Sequence, residues 1–255
     1  MSLAPLRALV TGAASGIGAA LCRRIAAPGV ELLIHTRSRA ADAQAVAEEC
    51  RAKGARCTVS LGELGEADTP TRLVAEAIGE FGGLDALVAN AGFADRRLVG
   101  ELDDAGFRRS VDAILTGFFR LANAARVHIE AARERGRIVA VSSFVGHVFR
   151  LDGELFPASS AAKLGLEGLA KALAAQLAPS RATVNCVVPG YIQKERRAHA
   201  ALDDKGRERA RARVPLGRLG RPDEVAALVA LVASPLAGYI NGANLRIDGG
   251  STAVI

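Results

Sequence analysis

An α/β fold built on one parallel sheet with helices on both faces is what three features of the sequence predict. Short apolar runs of strand length alternate along the chain with amphipathic segments of helix length. The runs are continuously apolar rather than alternating, which is the pattern of strands buried on both faces. No repeat, low-complexity stretch or linker-like composition divides the 255 residues, and a chain of that length with 50% hydrophobic residues supports one large core. The expectation is therefore α/β, a Rossmann-like doubly wound parallel sheet in a single domain spanning 1–255.

The first run, ALVTG, feeds the turn TGAASGIG at 11–18 and then a helix over 17–27. Gly12, Gly16 and Gly18, with Ser15 and Ile17 between them, permit a tight turn and close backbone approach, so a pyrophosphate can sit at the positive end of the helix. The strand, turn and helix that give such a motif its meaning are all present. The second run, ELLIHT, ends where cofactor choice is made: an acid there binds a ribose 2′-hydroxyl, a base favours a 2′-phosphate. HTRSR at 35–39 places Thr36 at the acid's position and Arg37 beside it, which predicts NADP(H), with NAD(H) as the second choice. The same arginines would also suit a solvent-facing loop.

A helix over 40–53, the strand CTVSL and a helix over 71–81 come next, followed by the strand DALVANAG and a long helical stretch over 103–134. The strand GRIVAVSS, a helix over 159–177 and the strand TVNCVVPG complete the alternation. In FPASSAAKLG at 156–165, a proline followed by small residues opens the helix, and Lys163 is its first charge, four residues after Ser159. That spacing puts hydroxyl and ammonium on one face, one turn apart.

Composition narrows the function further. No apolar run approaches the roughly 18–20 residues that span a bilayer, and MSLAPLRALVTG lacks the layout of a signal peptide, so a cytoplasmic protein without a membrane partner is expected. Cys22, Cys50, Cys57 and Cys186 are scattered without CxxC spacing, which argues for buried thiols and against a metal site or a disulfide framework. The net charge of +6 comes from arginines spread along helices, and with 4% aromatic residues the chain lacks the interleaved rings of a nucleic-acid surface.

With TGAASGIG, NAG at 90–92, the serine and helix lysine, PG at 189–190, and the closing GRPDEVAALVALVAS and GYINGANLRIDGG, the chain resembles the short-chain dehydrogenase/reductase family from about residue 5 to 250. The resemblance implies carbonyl reduction or alcohol oxidation on a small molecule, in a homo-oligomer, tetramer or dimer. It implies that Asn90, Ala91 and Gly92 line the adenine side and support the sheet, and that Pro189, Gly190 and Ile192 approach the nicotinamide. Glu63 and Leu64 stand near the adenine, where the family usually has Asp and an aliphatic residue. Lys194 stands where a threonine often contacts the carboxamide.

The family's catalytic set is Asn, Ser, Tyr and Lys, the last two spaced YxxxK. The tyrosine is the acid or base, and the lysine lowers its pKa and binds the ribose. By this resemblance Ser143 and Lys163 keep their places, Ser159 occupies the tyrosine position and Ile114 the asparagine position. A serine hydroxyl is shorter and far less acidic than a phenol, and losing a positioned acid costs about 10²–10⁴ in rate.

Several alternatives stay open. Tyr191 lies beside the expected nicotinamide, while Tyr239, in a GYING turn, reads as structural. The loop GHVFRLDGELFP offers His147, Asp152 and Glu154 as replacement acids. The 2,4-dienoyl-CoA reductase branch also resembles the SxxxK pattern, although Thr116 stands where that branch has its asparagine. A dinucleotide-binding protein with little or no turnover is the competing class. The segment 194–213, eight basic and four acidic residues where the family keeps its substrate lid, suits an anionic substrate or an acyl-CoA, or a helix that solvates itself.

Overall fold

The computed structural model describes residues 5–149, 154–193 and 203–253. Its seven strands are β1 (Leu6–Val10), β2 (Val30–Thr36), β3 (Arg56–Leu61), β4 (Ala86–Ala89), β5 (Arg137–Val141), β6 (Thr183–Pro189) and β7 (Asn244–Ile247). They form one sheet in the order β3-β2-β1-β4-β5-β6-β7, with every neighbouring pair parallel. The chain builds outward from β1 to β3, then crosses back to place β4 on the other side of β1. The switch point between β1 and β4, at the carboxyl ends of the strands, is where such sheets bind ligands.

The five inner strands bury both faces. On β1, Ala8 and Val10 enter one core and Leu9 the other; on β2, Leu32 and Ile34 oppose Leu33 in the same way. The first core is closed by α1 (Gly16–Ile25), α2 (Ala40–Arg51) and α8 (Pro222–Val232), through residues such as Leu21, Val46 and Val229. The second is closed by α3 (Thr69–Phe81), α5 (Gly117–Ala132) and α6 (Pro157–Leu177), through Leu73, Phe118 and Leu166. Each fully buried side chain of this size stabilises the fold by about 1.5–3 kcal/mol relative to exposure. All four cysteines are buried and free.

Three details differ from the sequence expectation. The six apolar runs become strands, but β7 is a seventh that hydropathy does not mark, because its NLRI residues are half-buried at the sheet edge and Arg246 is exposed. The stretch 103–134 is two helices, α4 (Asp104–Val111) and α5, joined by a π-type turn at Asp112–Thr116. Tyr239 does not brace its turn. It is fully exposed, and the turn is held by asparagines: Asn241 Oδ1 accepts from the Val184 amide at 2.9 Å and Asn185 Nδ2 donates to the Ile240 carbonyl at 2.7 Å. Helix α7 (Asp204–Ala212) accounts for the described part of the basic segment. No helix among the described residues is long and apolar enough to cross a membrane.

Candidate active site

The glycine turn is shaped by contact with the strand next door. Gly12 and Gly16 have positive φ of 64° and 55°, a conformation that glycine adopts without cost. A Cβ on Gly18 would lie 2.6 Å from the Gly12 carbonyl and 2.7 Å from Asn90 Nδ2, and one on Gly12 would lie 2.8 Å from Ala91 Cα. Asn90 binds the turn directly, its Nδ2 donating to the Thr11 and Gly12 carbonyls at 2.9 and 3.1 Å. Thr11 Oγ1 accepts the Asn90 and Ala91 amides at 3.0 and 3.1 Å. Gly16 is different: nothing lies within 4 Å of its Cβ position, at the N-terminus of a helix with no acid in its first turn. Open space facing unpaired helix N–H groups fits the pyrophosphate of a dinucleotide.

At the end of β2, Thr36 is buried and Arg37 exposed, with Arg37 Nη1 3.6 Å from Glu63 Oε2. Arg39 joins Ser15 Oγ at 2.8 Å and Asp42 at 2.6 Å, so a second guanidinium lies against the glycine turn. Leu64 is buried beneath α5, where a Cβ on Gly117 would approach its own Cβ to 3.1 Å.

Helix α6 carries the rest. Pro157 starts it, and its first turn fastens two loops: Ser159 Oγ accepts from the Asp95 amide at 3.0 Å, and Ser160 Oγ donates to the Val145 carbonyl at 2.7 Å. Ser159 also donates to the Phe93 carbonyl at 3.4 Å. One turn on, Lys163 is buried, with Nζ donating to the Val141 carbonyl at 2.6 Å. Its ammonium would be 3.2 Å from a Cβ on Gly92, so glycine at that position leaves it room. Burial pushes the Lys163 pKa down to about 8, against the opposing pull of Cys186 and Glu167. Ser143 caps the short turn Phe144–Gly146, its Oγ accepting from the Val145 amide at 3.4 Å.

These groups meet at one cavity of about 500 Å³. Ile17, Asn90 and Gly92 line it from the nucleotide side, Ser143, Ser159 and Lys163 from the centre, and Pro189, Gly190 and Ile192 from the end of β6. Gly12, Ser15, Gly16, Gly18, Arg37, Glu63, Leu64 and Ala91 lie outside its wall. Ile114 does too: it is buried in the π-type turn and contributes packing only. Thr116 donates back to Asp112 Oδ1 at 3.3 Å.

Of the replacement acids, Glu154 accepts from Arg96 Nε at 3.1 Å at the cavity wall, and His147 contacts Glu167. Asp152 and Lys194 lie outside the described residues. Tyr191 forms part of the wall, its ring 4.5 Å from that of Phe144. Helix α7 adds Arg207 and Arg211, so the charged residues among the described lining are Arg96, Lys163, Arg207 and Arg211 against Glu154.

One buried charged residue beside the site was not anticipated. Glu167 is buried one turn beyond Lys163, bonded to Ser142, His147 and Asn244. The available signal was its spacing, i+4 from the lysine in an otherwise apolar stretch.

The family model described as enoyl-(acyl carrier protein) reductase matches residues 12–252. The chain is 41% identical to cis-4-hydroxycyclohexanecarboxylate dehydrogenase of Sinomonas cyclohexanicum, over 97% of this chain and 96% of that one. It is 33% identical to a 3-oxoacyl-(acyl-carrier-protein) reductase of Staphylococcus aureus, over 95% and 96%. A short-chain dehydrogenase of Burkholderia cenocepacia, solved in complex with NADP, superposes with a TM-score of 0.89 at 32% identity, covering 98% of this chain and 99% of that one. Matches of this extent run through the glycine turn, the lysine helix and β7 alike, and the chain belongs to the short-chain dehydrogenase/reductase family, whose members are oxidoreductases that bind a nicotinamide dinucleotide.

Proposed function

We propose that the protein is an NADP(H)-preferring oxidoreductase that interconverts a small alcohol and ketone carrying a carboxylate, with a catalytic set that departs from the family's at Ser159 and Ile114. The observation that carries the substrate class is the pair Arg207 and Arg211, one turn apart on α7 and both on the wall of the cavity that holds Ser143 and Lys163. Guanidinium groups bind carboxylates in a two-pronged geometry, and a cavity whose described lining carries four cations to one anion concentrates anionic ligands. The relative named for a hydroxycyclohexanecarboxylate, itself an alcohol with a carboxylate, supports the same class.

When bound, the dinucleotide supplies or accepts the hydride. The glycine turn and the N-terminus of α1 hold its pyrophosphate, with Asn90 and Ala91 fixing the turn. Arg37, with Arg39 behind it, favours a 2′-phosphate, NAD(H) being the weaker ligand. Lys163 meets the nicotinamide ribose, Gly92 leaves it space, and Pro189, Gly190 and Ile192 flank the ring. Ser143 donates to the substrate oxygen from the cavity wall. Ser159, where the family has tyrosine, holds the 93–95 loop with its hydroxyl, and Ile114, where the family has asparagine, fills the core.

Exposed Phe107, Phe119, Val127 and Leu164, on α4, α5 and α6, support assembly into a dimer or tetramer. Fluorescence titration with NADPH and NADH, then initial rates with 4-hydroxycyclohexanecarboxylate and its methyl ester, test the reading. Arg207→Ala and Arg211→Ala are expected to raise KM for the acid at least tenfold and to leave the ester's KM little changed. Equal effects on acid and ester would reject the anionic substrate, and nucleotide binding with no turnover of either would favour a dinucleotide-binding protein without catalysis.

A further inference from the structure

We propose that Ser142, Glu167 and His147 form a proton path that carries the proton of the reacting hydroxyl between the cavity and the protein surface. The proposal rests on the reading that this cavity interconverts an alcohol and a ketone. It assigns the acid–base work to residues other than Ser159.

Ser142 follows β5 directly and is on the cavity wall beside Ser143. Its hydroxyl donates to Glu167 Oε1. His147 Nε2 lies 2.9 Å from that same oxygen, so a proton delivered by Ser142 arrives where the imidazole can take it. The path runs outward: the Glu167 side chain is 5% exposed and that of His147 19%. Glu167 Oε2 accepts from Asn244 Nδ2 at 2.5 Å.

Packing does not explain a carboxylate at this position. Glu167 lies between Leu166 and Ala170 on the buried side of α6, where an aliphatic residue would fill the space without desolvating a charge. Burying one carboxylate costs several kcal/mol, on the order of the offsetting gain from its partners. Asn244 supplies an independent sign. Its Oδ1 is buried with no partner, and turning the amide over would present that oxygen to a protonated Glu167. The hub therefore accommodates both protonation states of the acid.

The groups facing Glu167 are Lys163 on its own helix, His147 and Ser142 after β5, Cys186 on β6 and Asn244 on β7. Lys171, one turn further along α6, acts on Cys186. Ser142 and Asn244 donate to the two carboxylate oxygens, and His147 turns Nε2 toward Oε1, where its Nδ1–H tautomer can accept a proton.

In the oxidation direction the substrate C–H bond breaks with its electron pair, leaving as the hydride that an oxidised nicotinamide dinucleotide accepts. The substrate O–H bond breaks as its proton moves to Ser142 Oγ, and the proton of Ser142 moves to Glu167 Oε1. Glu167 returns to carboxylate by passing that proton to Nε2 of neutral His147, whose other nitrogen releases one to solvent. The products are a ketone, a reduced nicotinamide and a solvent proton, and reduction runs the same path backwards.

The test uses Ser142→Ala, Glu167→Gln and Tyr191→Phe in the full chain. Ser142→Ala and Glu167→Gln are expected to lower kcat by about 10²–10⁴, to flatten the rise of kcat for oxidation with pH that the path predicts for the wild type, and to hold the NADPH Kd within twofold. In the apo protein, Glu167→Gln is expected to move the His147 imidazole nitrogen NMR signals, because the partner at Nε2 changes from a carboxylate to an amide. Full kcat in both variants, or loss of kcat in Tyr191→Phe alone, would overturn the path. If Glu167→Gln does not fold, Ser142→Ala decides by the same criteria. A wild type that binds NADPH without turnover would end the underlying reading, while unmoved His147 imidazole signals in Glu167→Gln would end the path by itself.

Discussion

The hydroxyl of Ser159 accepts the amide hydrogen of Asp95 at 3.0 Å, which ties the first turn of α6 to the loop leaving β4. Asp95 is in turn held by Arg97 at 2.7 Å, and those hydrogen bonds depress its carboxyl pKa to about 2. Position 159 is thus a fastening of the cavity wall in the proposed mechanism. Ser159→Tyr removes that fastening and returns a phenol to the face of Lys163. We expect faster ketone reduction, by up to about 10²-fold, together with a lower Tm, since one hydrogen bond near a buried amide is worth about 1 kcal/mol. Initial rates and thermal melts check the pair of effects; an unchanged rate would mean that proton supply already suffices in the wild type.

Gly18 is required by contact. The Cβ of Gly18→Ala would lie 2.6 Å from the Gly12 carbonyl and 2.7 Å from Asn90 Nδ2. Overpacking of this kind costs about 1–3 kcal/mol, and the distorted turn should weaken NADPH binding more than tenfold, measured by fluorescence titration. Retained affinity would show that the turn yields without affecting the phosphate site.

Arg37 provides the cofactor test. Its nearest carboxylate, Glu63 at 3.6 Å, is a loose partner at an exposed position, so a 2′-phosphate can compete for it. A hydrogen bond to a charged group contributes about 1.5–3 kcal/mol. Arg37→Ala is therefore expected to weaken NADPH by about 10- to 100-fold and leave NADH nearly unaffected. Equal loss of both nucleotides in parallel titrations would remove the basis for NADP(H) preference.

Lys163 links the site to pH-dependent stability. Its folded-state pKa of about 8 lies below the ordinary lysine value of 10.5, so the unfolded chain binds more protons between those values and this residue's penalty fades as pH rises through that window. Lys163→Met should be more stable than wild type below pH 8, by on the order of 3 kcal/mol, and the advantage should vanish above pH 10.5. Taking the difference between the two proteins removes the contribution of the buried cysteines Cys22 and Cys50, which burial and hydrogen bonding push up in the folded protein and which titrate in this range in the unfolded chain. Urea melts across that range measure it; a constant difference would place the lysine in a better-solvated setting.

How far the sequence speaks depends on how far apart the interacting residues are. The five inner strands are legible because each is apolar on both faces, and the glycine turn because strand, turn and helix are contiguous. β7 is not, since Arg246 faces solvent and the edge strand needs little hydrophobicity. Ser143 and Lys163 could be found from spacing and resemblance, and the structure places both on one cavity. The engagement of Ser159 could not, because its partner lies 64 residues away in a loop without a pattern. Glu167 was hidden for the same reason: its three partners are 25, 20 and 77 residues distant, two in the segment after β5 and one on β7.

The most direct measurement of the central claim is the initial rate of nicotinamide reduction by the wild-type protein with 4-hydroxycyclohexanecarboxylate, run in parallel with NADP⁺ and NAD⁺ and with the methyl ester. The account predicts turnover of the acid, a higher kcat/KM with NADP⁺ than with NAD⁺, and a higher kcat/KM for the acid than for the ester. Nucleotide binding without turnover, or indifference to both the carboxylate and the 2′-phosphate, would contradict it.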